Sequence, residues 1–558
     1  MSAVDLRLII VLGLCSLVAT PSRGQSVRTV VITGQPTPHG GAGEQFGYVQ
    51  YTGGMNATGH VAFAATLSTY EGTPLTGNGI WSEGSGDLAL VAQAGDQAVG
   101  APEGVRFGGA FSFPVFLPRI SSGGQSAFIG YLHGAGVNSA NDSGVWIENA
   151  GSLRVVAREG EAATEGLRFG SPEFFVFNDL LVNNSGDVSF IADLTDSDAN
   201  ATIRESVWTA RSGSLALIAR DGARAPGTSK LFGNRPGGGN VTFSRISLNA
   251  AGETAFIGRL TGNGDGSGIW IADSASTQLI AQEGAPAPGA PAGVKFGPFA
   301  ELSLNDGGQV AFIALLSGGV AATNDSGIWT SRQGSSSLVV RERDAAPAFT
   351  EGVNFAGFSS LALNSRGEVA FTGLLRGGGV NSTSDSGLWK ASGGVLALIA
   401  QEGHIAPDTG GSAHFTAFGF TSEIVLNSIG RLAFLATLGG NGVNSFNNRG
   451  IWAEDMSGQL RLIVREGDVL QVGPGDFRTV SGLNFQGNGG IGDSRPIGFN
   501  DRGQVAFFAG FTDGSSGFFV SDSVAVPESP TAVLAALMCL APSAVGRRWG
   551  SVSCRNVS

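Results

Sequence analysis

The stretch Asn364-Ser365-Arg366-Gly367-Glu368-Val369-Ala370-Phe371 decides the fold, because its pattern Asn-x-x-Gly-x-x-Ala-Phe returns along the chain. Turn glycines stand at Gly59, Gly124, Gly186, Gly252, Gly308, Gly367, Gly430 and Gly503, which makes eight copies. Asn precedes that glycine by three in seven of them (Asn56, Asn183, Asn249, Asn305, Asn364, Asn427, Asn500), and Ser121 replaces it in the second copy. A short side chain that bonds back to the backbone, followed by Gly at the exit, is a type I turn preference. The apolar flanks then become two antiparallel strands.

Two further motifs recur with the same period of roughly 60 residues. One is Gly-Ile-Trp or a variant, at Trp81, Trp146, Trp208, Trp270, Trp329, Trp389 and Trp452, with Gly517-Phe518-Phe519 in the eighth unit. A large ring at one fixed place in a β-rich repeat is expected to anchor packed sheets. The other is a strand ending in a polar corner, as in Leu153-Arg154-Val155-Val156-Ala157-Arg158-Glu159-Gly160. Seven such strands follow their tryptophans. The eighth is missing after Phe519, while Val27-Arg28-Thr29-Val30-Val31-Ile32-Thr33-Gly34 supplies a matching orphan before the first unit.

Each unit therefore holds four strands. A last unit without its fourth strand, and a first strand without its unit, are what ring closure requires, since closure seals the edges an open array leaves exposed. The expectation is all-β: an eight-bladed β-propeller of four-stranded blades closed by the N-terminal strand. The alternatives are a seven-bladed propeller or a β-solenoid.

Composition fits this reading and excludes several functions. The 558 residues include 89 glycines, 42% are hydrophobic and only 14% are charged, which suits short strands between glycine turns. A net charge of −12 argues against nucleic acid as a partner. The three cysteines, Cys15, Cys539 and Cys554, all lie outside the repeats, so the body carries neither a disulfide nor a thiolate metal site. The five histidines fall at unrelated points of the repeat.

At the N-terminus, Arg7 precedes the apolar run 8–19 and then Pro21, Ser22 and Gly24, the pattern of a secretory signal peptide over 1–24. The repeat body spans 26–523, and a sorting or anchor segment occupies 524–558. There Val526-Pro527-Glu528-Ser529-Pro530 is followed by an apolar run over 531–545 and by Arg547-Arg548. This resembles the PEP-CTERM sorting signal, although Ser529 interrupts the Pro-Glu-Pro core and ten residues follow the arginines. The resemblance implies Val526, Pro527, Glu528, Pro530, Arg547 and Arg548 as sorting residues. It also implies an exosortase-like processing enzyme as partner and a transient membrane anchor. With its repeats set between export signal and anchor, the chain resembles the choice-of-anchor tandem-repeat proteins of bacterial surfaces, which implies an exported protein of the cell surface or extracellular matrix.

Sites of chemistry are sparse. No phosphate loop, nucleophile elbow or His-Glu metal motif occurs. The corner residues Glu159, Asp221, Glu283, Glu342, Glu402 and Glu466 are expected to satisfy donors of neighbouring loops. The oxygen-rich loops before the tryptophans nominate Asp142, Asp325 and Asp385 as Ca²⁺ ligands, against the plainer reading that these aspartates cap turns. Asp196-Ser197-Asp198-Ala199-Asn200 opens like an EF-hand loop but lacks its Gly and its closing Glu. No catalytic residue and no other cofactor is nominated. The unmatched His60, His133, His404 and Asp196 form no set. The functional expectation is a monomeric, non-enzymatic surface scaffold that binds an extracellular polysaccharide or protein. The alternative is an extracellular carbohydrate-active hydrolase or lyase on the same scaffold.

Overall fold

The turn Asn364–Gly367 forms as its residues dictate. Gly367 takes a left-handed φ of 79°, its N–H donates to the Asn364 carbonyl at 3.0 Å, and the Asn364 Oδ1 accepts from the N–H groups of Arg366 and Glu368 at 3.1 and 2.9 Å. The strands on either side belong to a four-stranded antiparallel sheet, Asn354–Leu363, Val369–Arg376, Ser386–Ser392 and Val395–Gln401. The computed structural model describes residues 26–524 except 39–42, 51–52, 70–73, 110–114, 165, 172–175, 197–203, 234–240, 262–264, 274, 320–325, 419–423 and 486–497. Residues 1–25 and 525–558 lie outside the described residues, and with them every sorting residue named above, from Val526 to Arg548.

Eight such sheets form an eight-bladed β-propeller, and the described residues contain no helix. Neither the seven-bladed nor the solenoid alternative is needed. In several blades the first strand is divided into two shorter pieces, so four strands per blade is the ground plan rather than the count. First strands of successive blades touch one another around the ring, Phe243–Leu248 against Lys295–Leu304 and that against Asn354–Leu363, so these strands face the axis.

Closure follows the predicted route. The orphan Val27–Ile32 pairs antiparallel with Ser516–Ser521 as the fourth strand of the eighth blade. It even reproduces the local irregularity of the other fourth strands. In each of the seven complete blades the register slips by one residue beside the tryptophan, as at Leu388/Trp389, and in the eighth it slips between Thr29 and Val31, opposite Phe519 and Phe518.

The core lies between blades. Phe371 and Trp389 are fully buried together with Ile313, Ile328 and Val340 of the preceding sheet. The Trp389 indole stacks on Phe371 at 6.2 Å and meets the ring of Phe355 edge-on at 5.0 Å, offset and T-shaped arrangements that aromatic quadrupoles favour. This folding-back explains the glycine two residues before each ring: a Cβ on Gly387 would lie 2.8 Å from the indole. The third blade has Ser206 there, and its hydroxyl accepts from the Trp208 N–H at 2.8 Å instead. Four other indoles donate to the corner loop arriving from the preceding blade, to the carbonyls of Val99, Pro226, Pro288 and Pro407. The tryptophans are thus buried latches between blades, closed to ligand.

The asparagines do more than shape turns. Each is buried, and its amide N–H reaches the carbonyl of the equivalent residue one blade on: Asn183 to Asn249, Asn249 to Asn305, Asn305 to Asn364, Asn364 to Asn427 and Asn427 to Asn500, all at 2.9–3.1 Å. Asn56 bonds the Ser121 carbonyl, Ser122 N–H donates to Asn184, and Asn500 meets the Met55 sulfur, so a belt of amides runs round the whole ring.

Candidate functional site: the polar arc of the third to fifth blades

A propeller repeats its scaffold, so chemistry is sought where one blade departs from the others. The third residue after each core Phe pairs across the sheet with the third residue before each Trp. Those pairs are Thr66–Asn78, Tyr131–Ser143, Arg259–Ser267, Leu315–Ser326, Leu374–Ser386, Thr437–Arg449 and Gly510–Ser516. In the third blade alone the pair is two acids, Asp193 and Glu205. Like charges directly opposite on neighbouring strands are destabilising, so this placement runs against the fold's own interest.

The serine at this position has a defined task elsewhere. Ser143, Ser267 and Ser386 donate to the corner carboxylates Glu159, Glu283 and Glu402 at 2.8–3.0 Å, and Ser326 donates to Glu342. These four corner acids therefore meet hydroxyls within their own blade. Glu205 replaces that serine and turns to the fourth blade, where its Oε2 accepts from the N–H groups of Thr242 and Phe243 at 2.5 and 2.6 Å. The corner acid of the third blade, Asp221, takes the Thr242 hydroxyl at 3.3 Å. Burial pushes the Glu205 carboxyl up to about 7; the two N–H groups oppose this, and the charges of Asp193 and Asp179 add to it. At neutral pH Glu205 exchanges a proton readily beside the acid Asp193, an arrangement that can donate, accept and hydrogen-bond hydroxyls.

The inner strands continue the asymmetry. Four residues before the belt position, successive blades carry Leu117, Asp179, Arg245, Glu301 and Ser360. Arg245 and Glu301 join adjacent blades in an ion pair at 2.9 Å. Arg119 reaches from the second blade to the Leu180 carbonyl at 3.2 Å and feels the charge of Asp179. Asp179 and Arg245 are exposed. Carboxylates and guanidinium groups thus alternate along one arc at the first strands, while the neighbouring second blade carries Phe116 stacked on Tyr131 at 5.5 Å.

Of the residues nominated for Ca²⁺, Asp325 lies outside the described residues. Asp142 is hydrogen-bonded to Glu159, whose carboxyl burial and the neighbouring acid push up to about 8; Ser143 opposes that shift. Asp385 stands in the same relation to Glu402, which burial also raises. The asparagine oxygens of these loops accept backbone N–H groups, Asn138 from Ala140 and Asn381 from Thr383. That geometry fits turn capping, and among the described residues no three His, Cys, Asp or Glu side chains converge. His60, His133 and His404 sit in different blades, and Asp198 of the EF-hand-like segment lies outside the described residues. Sequence alone did not single out Asp193, Glu205, Asp179, Arg245 or Glu301. The usable signal was the serine before Gly-x-Trp, which Glu205 displaces.

A sequence model described as a family of unknown function, DUF7453, matches residues 55–533. The chain belongs to DUF7453. No curated protein matches the chain in sequence. Among solved structures it is similar to the acylaminoacyl peptidase of Pyrococcus horikoshii, with 11% identity, a TM-score of 0.37, and coverage of 75% of this chain and 52% of that one. The DUF7453 chain thus spans about half the length of that peptidase. It is also similar to an α-L-arabinanase of Penicillium chrysogenum, with 10% identity, a TM-score of 0.26, and coverage of 62% and 96%. A polysaccharide lyase, an ulvan lyase, gives 11% identity, a TM-score of 0.28, and coverage of 92% and 98%.

Proposed function

We propose that this protein is an exported, surface-associated propeller that binds an extracellular polysaccharide through the polar arc of its third to fifth blades. In this reading residues 1–24 direct export, and the segment from Val526 to Arg548 is sorted by an exosortase-like enzyme after serving as a transient membrane anchor. The observation that carries the binding assignment is the grouping of Asp193, Glu205, Asp179, Arg245 and Glu301 on three successive blades. Sugar hydroxyls are matched by carboxylates and guanidinium groups that offer several acceptors and donors in fixed directions, and the half-buried Phe116 ring, backed by the buried Tyr131, suits the apolar face of a pyranose. A protein surface partner at the same arc is the other form of this proposal, and Ca²⁺ at Asp142 and Asp385 would act on loops of other blades.

One observation favours a second reading, a carbohydrate-active hydrolase or lyase. Glu205 titrates near neutrality across the sheet from Asp193, the disposition of a general acid beside a carboxylate. The two readings part in a single experiment. The purified protein is applied to a glycan array and, separately, incubated with the glycans it retains while reducing ends and unsaturated products are assayed. Saturable retention without products supports the binding protein. Products that vanish in Glu205→Gln establish the enzyme, and no retention of any glycan overturns the polysaccharide reading.

A further inference from the structure

The inner-strand position held by Leu117, Asp179, Arg245 and Ser360 is unusual in its backbone. All four have left-handed φ values of 49–54°, a region that costs L-residues roughly 1–2 kcal/mol and that glycine would occupy freely. Each sits in a bulge, where the pairing of the first with the second strand slips between Phe116 and Arg119, Asn178 and Leu181, Ser244 and Ser247, and Ser359 and Leu361. Four of the five described blades thus share this conformation, Glu301 of the fifth being the exception, yet the residue is not glycine in any of them and changes character from blade to blade. Turn glycines of the same blades, Gly124, Gly186, Gly252 and Gly367, show that the repeat uses glycine freely where only backbone shape matters.

Where that strained backbone bears an exposed charge on strands that face the axis, as at Asp179 and Arg245, the position is placed for what it presents, whereas Ser360 is buried. We propose that these bulges are the specificity-determining positions of the arc, and that Asp179, Arg245 and the equivalent Glu301 select a neutral, hydroxyl-rich glycan over polyanionic or polycationic chains. Alternating acid and base along the arc hydrogen-bonds hydroxyls in both senses while repelling a long run of either charge. The assignment rests on the polysaccharide reading above and adds to it which side chains choose the ligand.

The competing role is structural, since the Arg245–Glu301 pair also joins two blades. Both are tested in the full-length protein. Asp179→Asn and Arg245→Asn keep a residue that tolerates left-handed φ, and the charge-reversed double variant Arg245→Glu with Glu301→Arg keeps the ion pair. Binding is measured by isothermal titration with soluble dextran, xylan and alginate, and stability by the melting temperature. The assignment expects the wild type to bind dextran or xylan more tightly than anionic alginate. It expects each single variant to lose at least tenfold in that affinity with a melting temperature within about 2 °C of wild type, and the reversed pair to fail to restore binding. Single variants that melt several degrees lower while binding as wild type does, or a reversed pair that binds normally, overturn it in favour of the structural role. A wild type that binds none of the three overturns the glycan selectivity, whereas a wild type that prefers alginate keeps the polysaccharide reading and overturns only the selectivity assigned to the bulges.

Discussion

Replacing Asn364 by Ala should be among the most damaging single changes outside the aromatic core. The side chain is fully buried. Its Oδ1 accepts from the N–H groups of Arg366 and Glu368, and its amide donates to Glu368 Oε2 at 2.7 Å and to the Asn427 carbonyl at 3.0 Å. Truncation leaves two backbone donors, one carbonyl and one carboxylate oxygen without these partners. A buried polar group left unmade costs about 1–3 kcal/mol, and water can reach some of them at a turn, so the loss is estimated at roughly 3–5 kcal/mol. Asn364→Ser should lose less, because Ser121 at the same place in the second blade still accepts from the Gln125 N–H at 3.1 Å. The assay is equilibrium or, where unfolding is irreversible, kinetic denaturation in guanidinium, with wild type, Ala and Ser compared at one pH. An Ala variant within about 1 kcal/mol of wild type would show that the belt contributes little and that the asparagines merely suit a turn.

Three further outcomes are expected. Stability should rise as the pH falls from about 9 to about 5, measured as melting temperature. The carboxyls of Glu159 and Glu205 are pushed up to about 8 and about 7 in the folded protein, so their contribution is complete below the unfolded value and is lost as pH rises through the folded ones, on the order of 3–5 kcal/mol for each group. A flat profile across that range would contradict the burial assigned to them. Trp270→Phe, which loses a bond to the Pro226 carbonyl, should destabilise by about 1 kcal/mol more than Trp389→Phe, whose indole N–H has no acceptor. Equal losses would refute the latch. Deleting residues 27–33 removes the buried Val30, Val31 and Ile32 and bares the edge of Ser516–Ser521, a loss of roughly 5–8 kcal/mol with a tendency to aggregate; an unchanged denaturation curve would contradict ring closure.

The ring itself was legible because its determinants are local. Asn364, Gly367 and Phe371 shape and bury a hairpin within eight residues, and the orphan Val27–Ile32 could be matched to its missing counterpart by counting. What escaped the sequence depends on partners a blade away. The reach of Asn364 to Asn427 spans 63 positions, and nothing in the motif distinguishes a turn-former from a link between blades. The opposition of Asp193 and Glu205 appears only once the register of second and third strands is fixed, since the residues are twelve apart and look like ordinary polar loop-side positions. The bulges were hidden for a different reason: Leu117 and Arg245 are not residues that sequence patterns assign to left-handed backbone, and Asp179, whose type does visit it, stands inside a strand. Asp142 and Asp385 were read as candidate Ca²⁺ ligands, while the carboxyl partners the fold gives them, Glu159 and Glu402, were read separately as corner residues.

The most direct test of a binding arc is to locate the ligand on the protein. Hydrogen–deuterium exchange is measured with and without the tightest glycan retained from the array. Slowed exchange should be confined to Phe177–Val182, Val188–Thr195, Arg204–Arg211, Phe243–Leu248 and the strand Lys295–Leu304, with the fourth strands and the other blades unchanged. Protection centred on other blades, or spread evenly round the ring, would contradict the account.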